Sequence, residues 1–439
     1  MGDSEKPVLP RIVTDVPGPK SRRLIERYRS IFGERGAPAI AVEKGFGCIK
    51  EDVDGNRFLD FAQSLCAVGY SNPDVIEASK RQLQQMIPRD KGAEALLGFT
   101  ESVLSRLPGE LKEGRMNLVV SGSEAVELAV HLAREYTERP LILSYLDSHH
   151  GHVGTLFELS GELGIDVWKA KLSDIVHIPY PNCYRCPFNQ EYPGCDMLCL
   201  GYIQNIFETI ARPDQFAGIL MEPILLNGGV YIPPDEYMEG IMDICRENGI
   251  QFIADEVYSG MGSSGEFLAV NHWGITPDIL CLGKAMGGGY PIAAVATRRE
   301  ITDETRGGVA FTGTFAGNLV GCAAGKATLD YIDKNELILN AKDLGSYMLK
   351  SLGSIAEGKE SIGDVRGRGL IIGFEMVKDK ATKEPDPEEA LSVTRRAMEE
   401  GLLLRRYGRY RNVLIMTPPL TLSREQADVA LEIIEKVVR

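Results

Sequence analysis

Lys284 and Asp255 each stand directly after a short apolar run, where a buried strand of an α/β protein would end. Lys284 follows residues 278–283 (DILCLG) and opens a glycine-rich turn, and Asp255 follows residues 250–254 (IQFIA). A lysine amine can form an imine with an aldehyde. An aspartate can keep a pyridine nitrogen protonated, which makes the ring an electron sink. Together the two residues predict pyridoxal 5'-phosphate (PLP) chemistry.

Residues 121–127 (SGSEAVE) join a predicted strand to a predicted helix and could hold the cofactor phosphate. Gly122 would let the backbone approach closely, and the Ser123 hydroxyl and the first helical amides would face the anion. The alternative is a serine N-cap with an acidic first turn, which needs no ligand. Because PLP requires a phosphate site, the phosphate interpretation is favoured.

Two consecutive histidines, His149 and His150, precede Gly151 after another predicted strand. The strand ends of an α/β sheet are where such proteins bind ligands, so we expect these residues to have a functional role. The glycines at 287–289 lack the spaced G-x-G-x-x-G pattern, which argues against a dinucleotide-binding dehydrogenase.

Strand and helix patterns alternate from about residue 93 to 330, which predicts a mainly parallel sheet covered by helices. The helix at 123–136 has apolar residues at helical spacing. The turn at 52–56 (DVDGN) suits a hairpin. The predicted strands are 116–120, 141–145, 218–221, 251–254, 279–282 and 293–296, with further strands at 369–376 and 413–416.

The amino-acid composition of the 439 residues is ordinary for a globular protein, and the formal net charge is −14. That charge makes nucleic acid and anionic membranes unlikely partners. No run is long and apolar enough for a membrane span, and the first seven residues are polar, so we expect a cytoplasmic protein.

Cys183, Cys186, Cys195 and Cys199 form a C-x2-C-x8-C-x3-C loop. The spacing is compatible with zinc, but a loop of free or redox-variable thiols is favoured. No metal is included in the predicted site.

Motif blocks over about residues 8–437 resemble the class III (ω- or GABA-type) aminotransferases of PLP fold type I. The blocks include 121–127, EPI at 222–224, DEV at 255–257, GKAMGGG at 283–289 and TFAGN at 314–318. The arm at 17–20 and the cysteine loop resemble an archaeal and bacterial subgroup that includes broad-specificity aminotransferases and amino-acid racemases.

The resemblance implies an α/β fold with a large domain, built on a mainly parallel seven-stranded sheet, and a smaller α+β lobe from both termini. The predicted divisions are an N-terminal arm and part of the small domain at 1–60, the PLP-binding domain at 61–330, and the C-terminal small domain at 331–439.

The resemblance also implies roles for individual residues of the cofactor site. Lys284 would carry the Schiff base, Asp255 would pair with the pyridine nitrogen, and His149 stands where the family usually places a stacking Tyr or Phe. Thr314 would reach the phosphate in the other subunit, which implies a homodimer with shared sites, or a tetramer of such dimers. The remaining predicted cofactor contacts are Gly122, Ser123, His150, Gly151, Glu222, Val257, which packs on one ring face, and Tyr258.

Four positions depart from the family pattern: Tyr258 replaces a Gln, Asn227 an acid and Leu319 a Pro, and Ile415 replaces the Arg that clamps a substrate carboxylate. An alkyl group cannot replace a bidentate guanidinium. Either the substrate is recognised without the clamp, or another arginine takes its place, namely Arg405, Arg406, Arg409 or Arg411.

The sequence therefore predicts a PLP-dependent aminotransferase that moves an amino group from an amine or amino acid to a 2-oxo acid in a ping-pong cycle. The first alternative is an amino-acid racemase, which needs an acid or base opposite Lys284; an amide at Asn227 cannot serve, whereas His149 could. The second is a PLP-fold binding protein without catalysis, which the intact Lys284 and Asp255 pair argues against.

Overall fold

The computed structural model describes residues 8–62, 65–161, 174–306 and 313–439. Helix α1 (Pro19–Phe32) is followed by three antiparallel strands, β1 (Val42–Phe46), β2 (Ile49–Asp52) and β3 (Arg57–Asp60). In the turn between β2 and β3, Asp52 Oδ1 accepts hydrogen bonds from the backbone nitrogens of Asp54 and Asn56, each at 2.9 Å. The predicted hairpin is confirmed.

Two helices lead from this hairpin to the central sheet, α2 (Pro73–Gln85) and α3 (Glu94–Leu104). Asn72 caps α2, because its side-chain oxygen accepts a hydrogen bond from the backbone nitrogen of Asp74 at 3.0 Å.

The central sheet has seven strands in the order β4-β10-β9-β8-β7-β5-β6. Strand β10 runs antiparallel to both of its neighbours, and the other pairings are parallel, so the predicted mainly parallel sheet is confirmed. The strands are β4 (Arg115–Val119), β5 (Leu141–Tyr145), β6 (Ile175–Ile178), β7 (Phe216–Met221), β8 (Gln251–Asp255), β9 (Ile279–Leu282) and β10 (Ala293–Thr297), and the helices between them are α4 (Gly122–Thr137), α5 (Leu156–Leu159), α6 (Leu198–Thr209), α7 (Asp235–Asn248) and α8 (Arg299–Asp303).

Polar and apolar residues do not alternate along these strands, because both faces of the strands are buried. All residues of β7, β8, β9 and β10 are buried, as expected for strands covered on both faces. Helix α4 packs its predicted apolar stripe on one face of the sheet, and the buried residues of that stripe include Ala125, Leu128, Ala129 and Leu132.

The C-terminal part forms a second sheet, in the order β11-β12-β16-β15. Strand β14 instead pairs in parallel with β3, which places residues from both ends of the chain in one sheet. The domain limits at 60 and 330 remain predictions. The elements are α9 (Leu319–Lys334), α10 (Leu337–Glu357), β11 (Ile362–Arg368), β12 (Ile371–Asp379), β13 (Glu384–Pro385), α11 (Pro387–Glu399), β14 (Leu402–Leu403), β15 (Arg405–Tyr407), β16 (Val413–Met416) and α12 (Arg424–Val437).

Among the described residues, no helix is long and apolar enough to cross a membrane.

Candidate active site

Asp255 and Lys284 meet at the carboxyl edge of the central sheet. Asp255 is the last residue of β8, and Lys284 lies two residues beyond the end of β9, the parallel neighbour of β8. Lys284 begins a short 3-10 turn and has a positive φ of 42°, a conformation that is uncommon for a residue with a side chain. The sheet topology and this turn therefore bring the two predicted catalytic residues to one place.

The amine of Lys284 lies in a pocket that favours its neutral form. Burial lowers the pKa of Lys284, the charge of Arg405 acts in the same direction, and the carboxylates of Asp255 and Glu222 oppose them. The Nζ atom lies 4.6 Å from the ring centroid of Tyr258. A neutral amine is the nucleophilic form of lysine, and burial shifts Lys284 towards that form.

The carboxylate of Asp255 is buried and held on both oxygens. Its Oδ2 lies 2.7 Å from His150 Nδ1, and its Oδ1 accepts a hydrogen bond from the backbone nitrogen of Val257 at 3.1 Å. His150 is itself 3% exposed, and its backbone nitrogen donates to Ser160 Oγ at 2.9 Å. His150 was predicted as a cofactor contact; the structure joins it to Asp255, the residue predicted at the pyridine nitrogen.

The start of α4 packs closely against the other site segments. Ser121, rather than Ser123, is the N-cap residue, and its hydroxyl accepts a hydrogen bond from the backbone nitrogen of Glu124 at 3.3 Å. A Cβ atom added to Gly122 would lie 2.5 Å from Val257 Cγ1. Gly151 has a φ of 133°, and a Cβ atom there would lie 2.4 Å from Ser123 Oγ. Glycine is therefore required at positions 122 and 151, because neighbouring side chains approach the backbone too closely for a Cβ atom. Ser123 does not cap the helix.

The carboxylate of Glu222 accepts hydrogen bonds from the loop that carries His149 and from the backbone of Leu226. Its Oε1 accepts a hydrogen bond from the backbone nitrogen of His149 at 2.7 Å, and its Oε2 accepts one from Leu226 at 3.3 Å. Burial, and next the negative charge of Asp255, raise the pKa of Glu222 to about 8. In this structure Glu222 positions His149 by these bonds.

Tyr258 lies beside Lys284, and His149 lies in the loop that Glu222 holds. The Tyr258 hydroxyl lies 2.9 Å from Thr417 Oγ1, at the end of β16. The His149 ring packs edge-on against His152, with 4.6 Å between ring centroids. Thr417 was not predicted as a site residue, because no motif or spacing marks it and it meets Tyr258 only in the folded chain.

Thr314 is exposed in the turn before α9. The adjoining Gly313 lies near the first turn of α4, since a Cβ atom there would be 3.9 Å from Glu124 Oε2. The contact between Thr314 and the cofactor phosphate of a second subunit stays a prediction.

The four cysteines of the loop have free thiols. Within the described parts of the chain, no group of three or more His, Cys, Asp or Glu side chains is placed to hold a metal ion. The cysteine loop therefore gives no support to the zinc alternative.

The sequence model of the family described as "Aminotransferase class-III" matches residues 32–438. The chain belongs to the class III aminotransferases. It is 37% identical over 432 residues to a leucine/methionine racemase of Thermococcus litoralis, with 95% of this chain and 96% of the relative covered. It is 32% identical to a 4-aminobutyrate aminotransferase of Mycobacterium leprae, with 98% of each chain covered.

The fold agrees with this assignment. The solved structure of a Bacillus anthracis aminotransferase superposes with a TM-score of 0.87 at 28% identity, over 95% of this chain and 98% of that one. The enzyme therefore has PLP fold type I, and as a class III aminotransferase it depends on PLP.

The residues of the site fit that cofactor. The N-terminus of α4 offers amides for a phosphate, and the two glycines leave the space that side chains would fill. Asp255, in its buried pair with His150, offers a fixed negative charge for a ring nitrogen, and the amine of Lys284 offers a nucleophile.

We predict that Glu222 makes the stability of the cofactor-free enzyme depend on pH. The folded chain holds the Glu222 proton between the ordinary pKa of 4.5 and about 8, whereas the unfolded chain releases it. The stabilisation that this proton provides is complete below pH 4.5. It decreases as the pH rises and is lost once the pH has passed about 8. Across that window wild type should lose roughly 5 kcal/mol more stability than Glu222→Gln.

Denaturant unfolding of both proteins at a series of pH values measures this difference. The exposed Glu239, on α7, provides a matched control as Glu239→Gln. Parallel pH profiles for wild type and Glu222→Gln would show that Glu222 does not hold the proton.

Proposed function

We propose that this enzyme transfers an amino group from an amine or amino acid to a 2-oxo acid, with Lys284 as the group that moves the proton and Asp255 as the charge at the ring nitrogen of the cofactor. One observation supports this proposal most directly. The buried amine of Lys284 and the buried carboxylate of Asp255, which pairs with His150, lie at the ends of neighbouring strands.

When bound, PLP supplies an aldehyde that accepts the amino group and a ring that takes up electrons. Lys284 Nζ, kept towards its neutral form by burial, takes the proton from the carbon that bears the substrate nitrogen and returns it on the cofactor side. His150 and the backbone of Val257 fix the orientation of Asp255. Glu222 holds the backbone of His149 beside the pocket.

An amino-acid racemase is the second candidate, and the similarity to the racemase of Thermococcus litoralis favours it. Racemisation requires a second acid or base on the face opposite Lys284. The amide of Asn227 cannot exchange a proton at neutral pH, so His149 would have to serve. The transaminase is preferred because it needs Lys284 alone as the proton carrier.

The two functions are separated by incubating the PLP-loaded enzyme with a panel of amines and amino acids without an acceptor. A transaminase converts the cofactor to its pyridoxamine form, and the absorbance of the PLP form is lost. A racemase retains the PLP absorbance while the optical rotation of a chiral amino acid decays. The first result is expected; the second would replace the proposal with the racemase.

Lys284→Ala should abolish turnover with every member of that panel, because no other amine is proposed to move the proton. Borohydride should link the cofactor to wild type at Lys284 and should leave the variant unlinked, as peptide mass mapping can show. Labelling of wild type at a different lysine would overturn the assignment, whatever the activity.

We further propose a homodimer with shared active sites. An apolar surface of exposed side chains lies on α2, on α3, between these helices and in the turn before α9. Both helices pack on α9, and the backbone nitrogen of Leu319 donates to the Ile87 carbonyl at 3.1 Å. The apolar surface consists of Ile76, Leu83, Met86, Ile87, Leu97 and Phe315. Phe315 is 75% exposed and adjoins Thr314, so a partner covering it would also bring Thr314 to a second site.

Phe315→Asp should weaken dimerisation by about 100-fold or more, because a twofold interface loses two buried rings and gains two charges. Activity should fall with the dimer. Leu339→Asp is the control, since Leu339 is also exposed but lies on α10. Sedimentation velocity over a concentration series measures both variants; a fully active wild-type monomer would contradict the shared site.

A further inference from the structure

We propose that Arg366 is a positioning residue of the active site, because it holds a strained backbone turn at residues 227–230. That turn supports Tyr258 and Glu222, and both of these side chains act on the amine of Lys284. Arg366 exerts its effect through the backbone of the turn. The inference rests on the proposed function, because Lys284 is taken as the amine that moves the proton.

The turn has a backbone conformation that one of its own residues does not favour. Gly229 has a φ of 122°, a value that glycine adopts readily. Val230 has a φ of 59° and is fully buried. This left-handed region is rare for a β-branched residue, because its Cβ atom crowds the backbone. Such a conformation persists only where the surrounding structure fixes it.

Arg366, on β11, fixes the turn at the residue before Val230. Its Nε and Nη2 atoms donate to the carbonyl oxygen of Gly229 at 2.9 and 2.7 Å. Hydrogen bonds from a charged donor are stronger than those between neutral groups. Opposite Arg366 on β12 is Gly373, where a Cβ atom would lie 3.1 Å from the Cβ atom of Val230. The pair of β11 and β12 therefore binds the backbone of the turn and leaves room for its strained side chain.

Carboxylates hold the guanidinium of Arg366 in place. Its Nη1 donates to Asp364, and its Nη2 lies 3.0 Å from Glu375 Oε2. Glu375 is 1% exposed, and its other carboxylate oxygen accepts hydrogen bonds from Arg185 and Asn412. Because the guanidinium is bonded on several sides, it holds the carbonyl of the turn at a set position.

Two contacts connect the turn to the surroundings of Lys284. The backbone nitrogen of Leu226, directly before the turn, donates to Glu222 Oε2 at 3.3 Å. Val230 belongs to an apolar cluster against which Tyr258 packs, and the Tyr258 ring centroid lies 4.6 Å from Lys284 Nζ. A turn that relaxed would therefore shift both Glu222 and Tyr258 relative to the amine.

The pH titration of the absorbance of the PLP-loaded enzyme tests this role, because it reports the protonation of the imine at Lys284. Arg366→Gln should lower the midpoint of this titration by about one pH unit. The reason is that the ring of Tyr258 and the carboxylate of Glu222 both favour the protonated form, and the variant lets them move away.

A second substitution separates backbone strain from loss of packing. In the Arg366→Gln background, Val230→Gly should restore the midpoint, because glycine adopts a φ of 59° without a side chain that crowds the backbone. Val230→Ala removes two of the three side-chain carbons but keeps the Cβ atom, so it should not restore the midpoint. Arg368→Gln is the matched control on β11, because the Arg368 guanidinium pairs with Asp235 at 3.8 Å, and it should leave the midpoint unchanged.

The kinetics of the half-reaction without acceptor provide an independent measure. With an amine that wild type converts, Arg366→Gln should lower kcat by about 10-fold and change KM by less than about threefold. This division is expected because the variant alters the surroundings of the reacting amine.

An unchanged midpoint in Arg366→Gln, an equal shift in Arg368→Gln, or equal restoration by Val230→Gly and Val230→Ala would overturn the inference. If Arg366→Gln alone does not fold, the double variants decide. Folding with Val230→Gly only supports the inference, and the same outcome with both substitutions overturns it. If the midpoints move as expected but no amine is converted, the proposed function fails and the positioning role stands.

Discussion

The buried pair of Asp255 and His150 is the contact on which the rest of the site depends. A carboxylate is costly to bury unless a partner compensates it, and the imidazole at 2.7 Å supplies that partner. The pair ties β8 to the loop after β5, and Glu222 fixes the same loop through the backbone of His149. Gly151 then lets the loop approach α4 closely. The carboxylate of Asp255 and the start of α4 are thus held at set positions before any ligand arrives.

Much of this arrangement was predictable because it is local in sequence. Lys284 and Asp255 follow apolar runs that the structure confirms as β9 and β8, and the stripe of α4 is where its spacing indicated. Strand β6 was missed from the pattern, since it has four residues, of which one is buried. The pairing of His150 with Asp255 spans 105 residues, so no local signal could reveal it. It follows from the order of the strands.

The arginine run before β16 shows the same difference between local signals and signals that depend on the fold. The sequence pointed to a run of arginines near Ile415 but gave no means of choosing among them. Strand register separates them, because a shift of one residue moves a side chain to the other face. Arg405 shares the face of Ile415, whereas Arg406 does not. Family membership defines the cofactor and the class of chemistry.

Asp255 is proposed to hold a negative charge at the ring nitrogen of the cofactor. The most direct measurement is the 15N chemical shift of the ring nitrogen in enzyme loaded with 15N-labelled PLP. We expect a protonated nitrogen in wild type and an unprotonated one in an Asp255→Ala variant that still binds PLP. An unprotonated nitrogen in wild type, or a protonated one in both proteins, would contradict it.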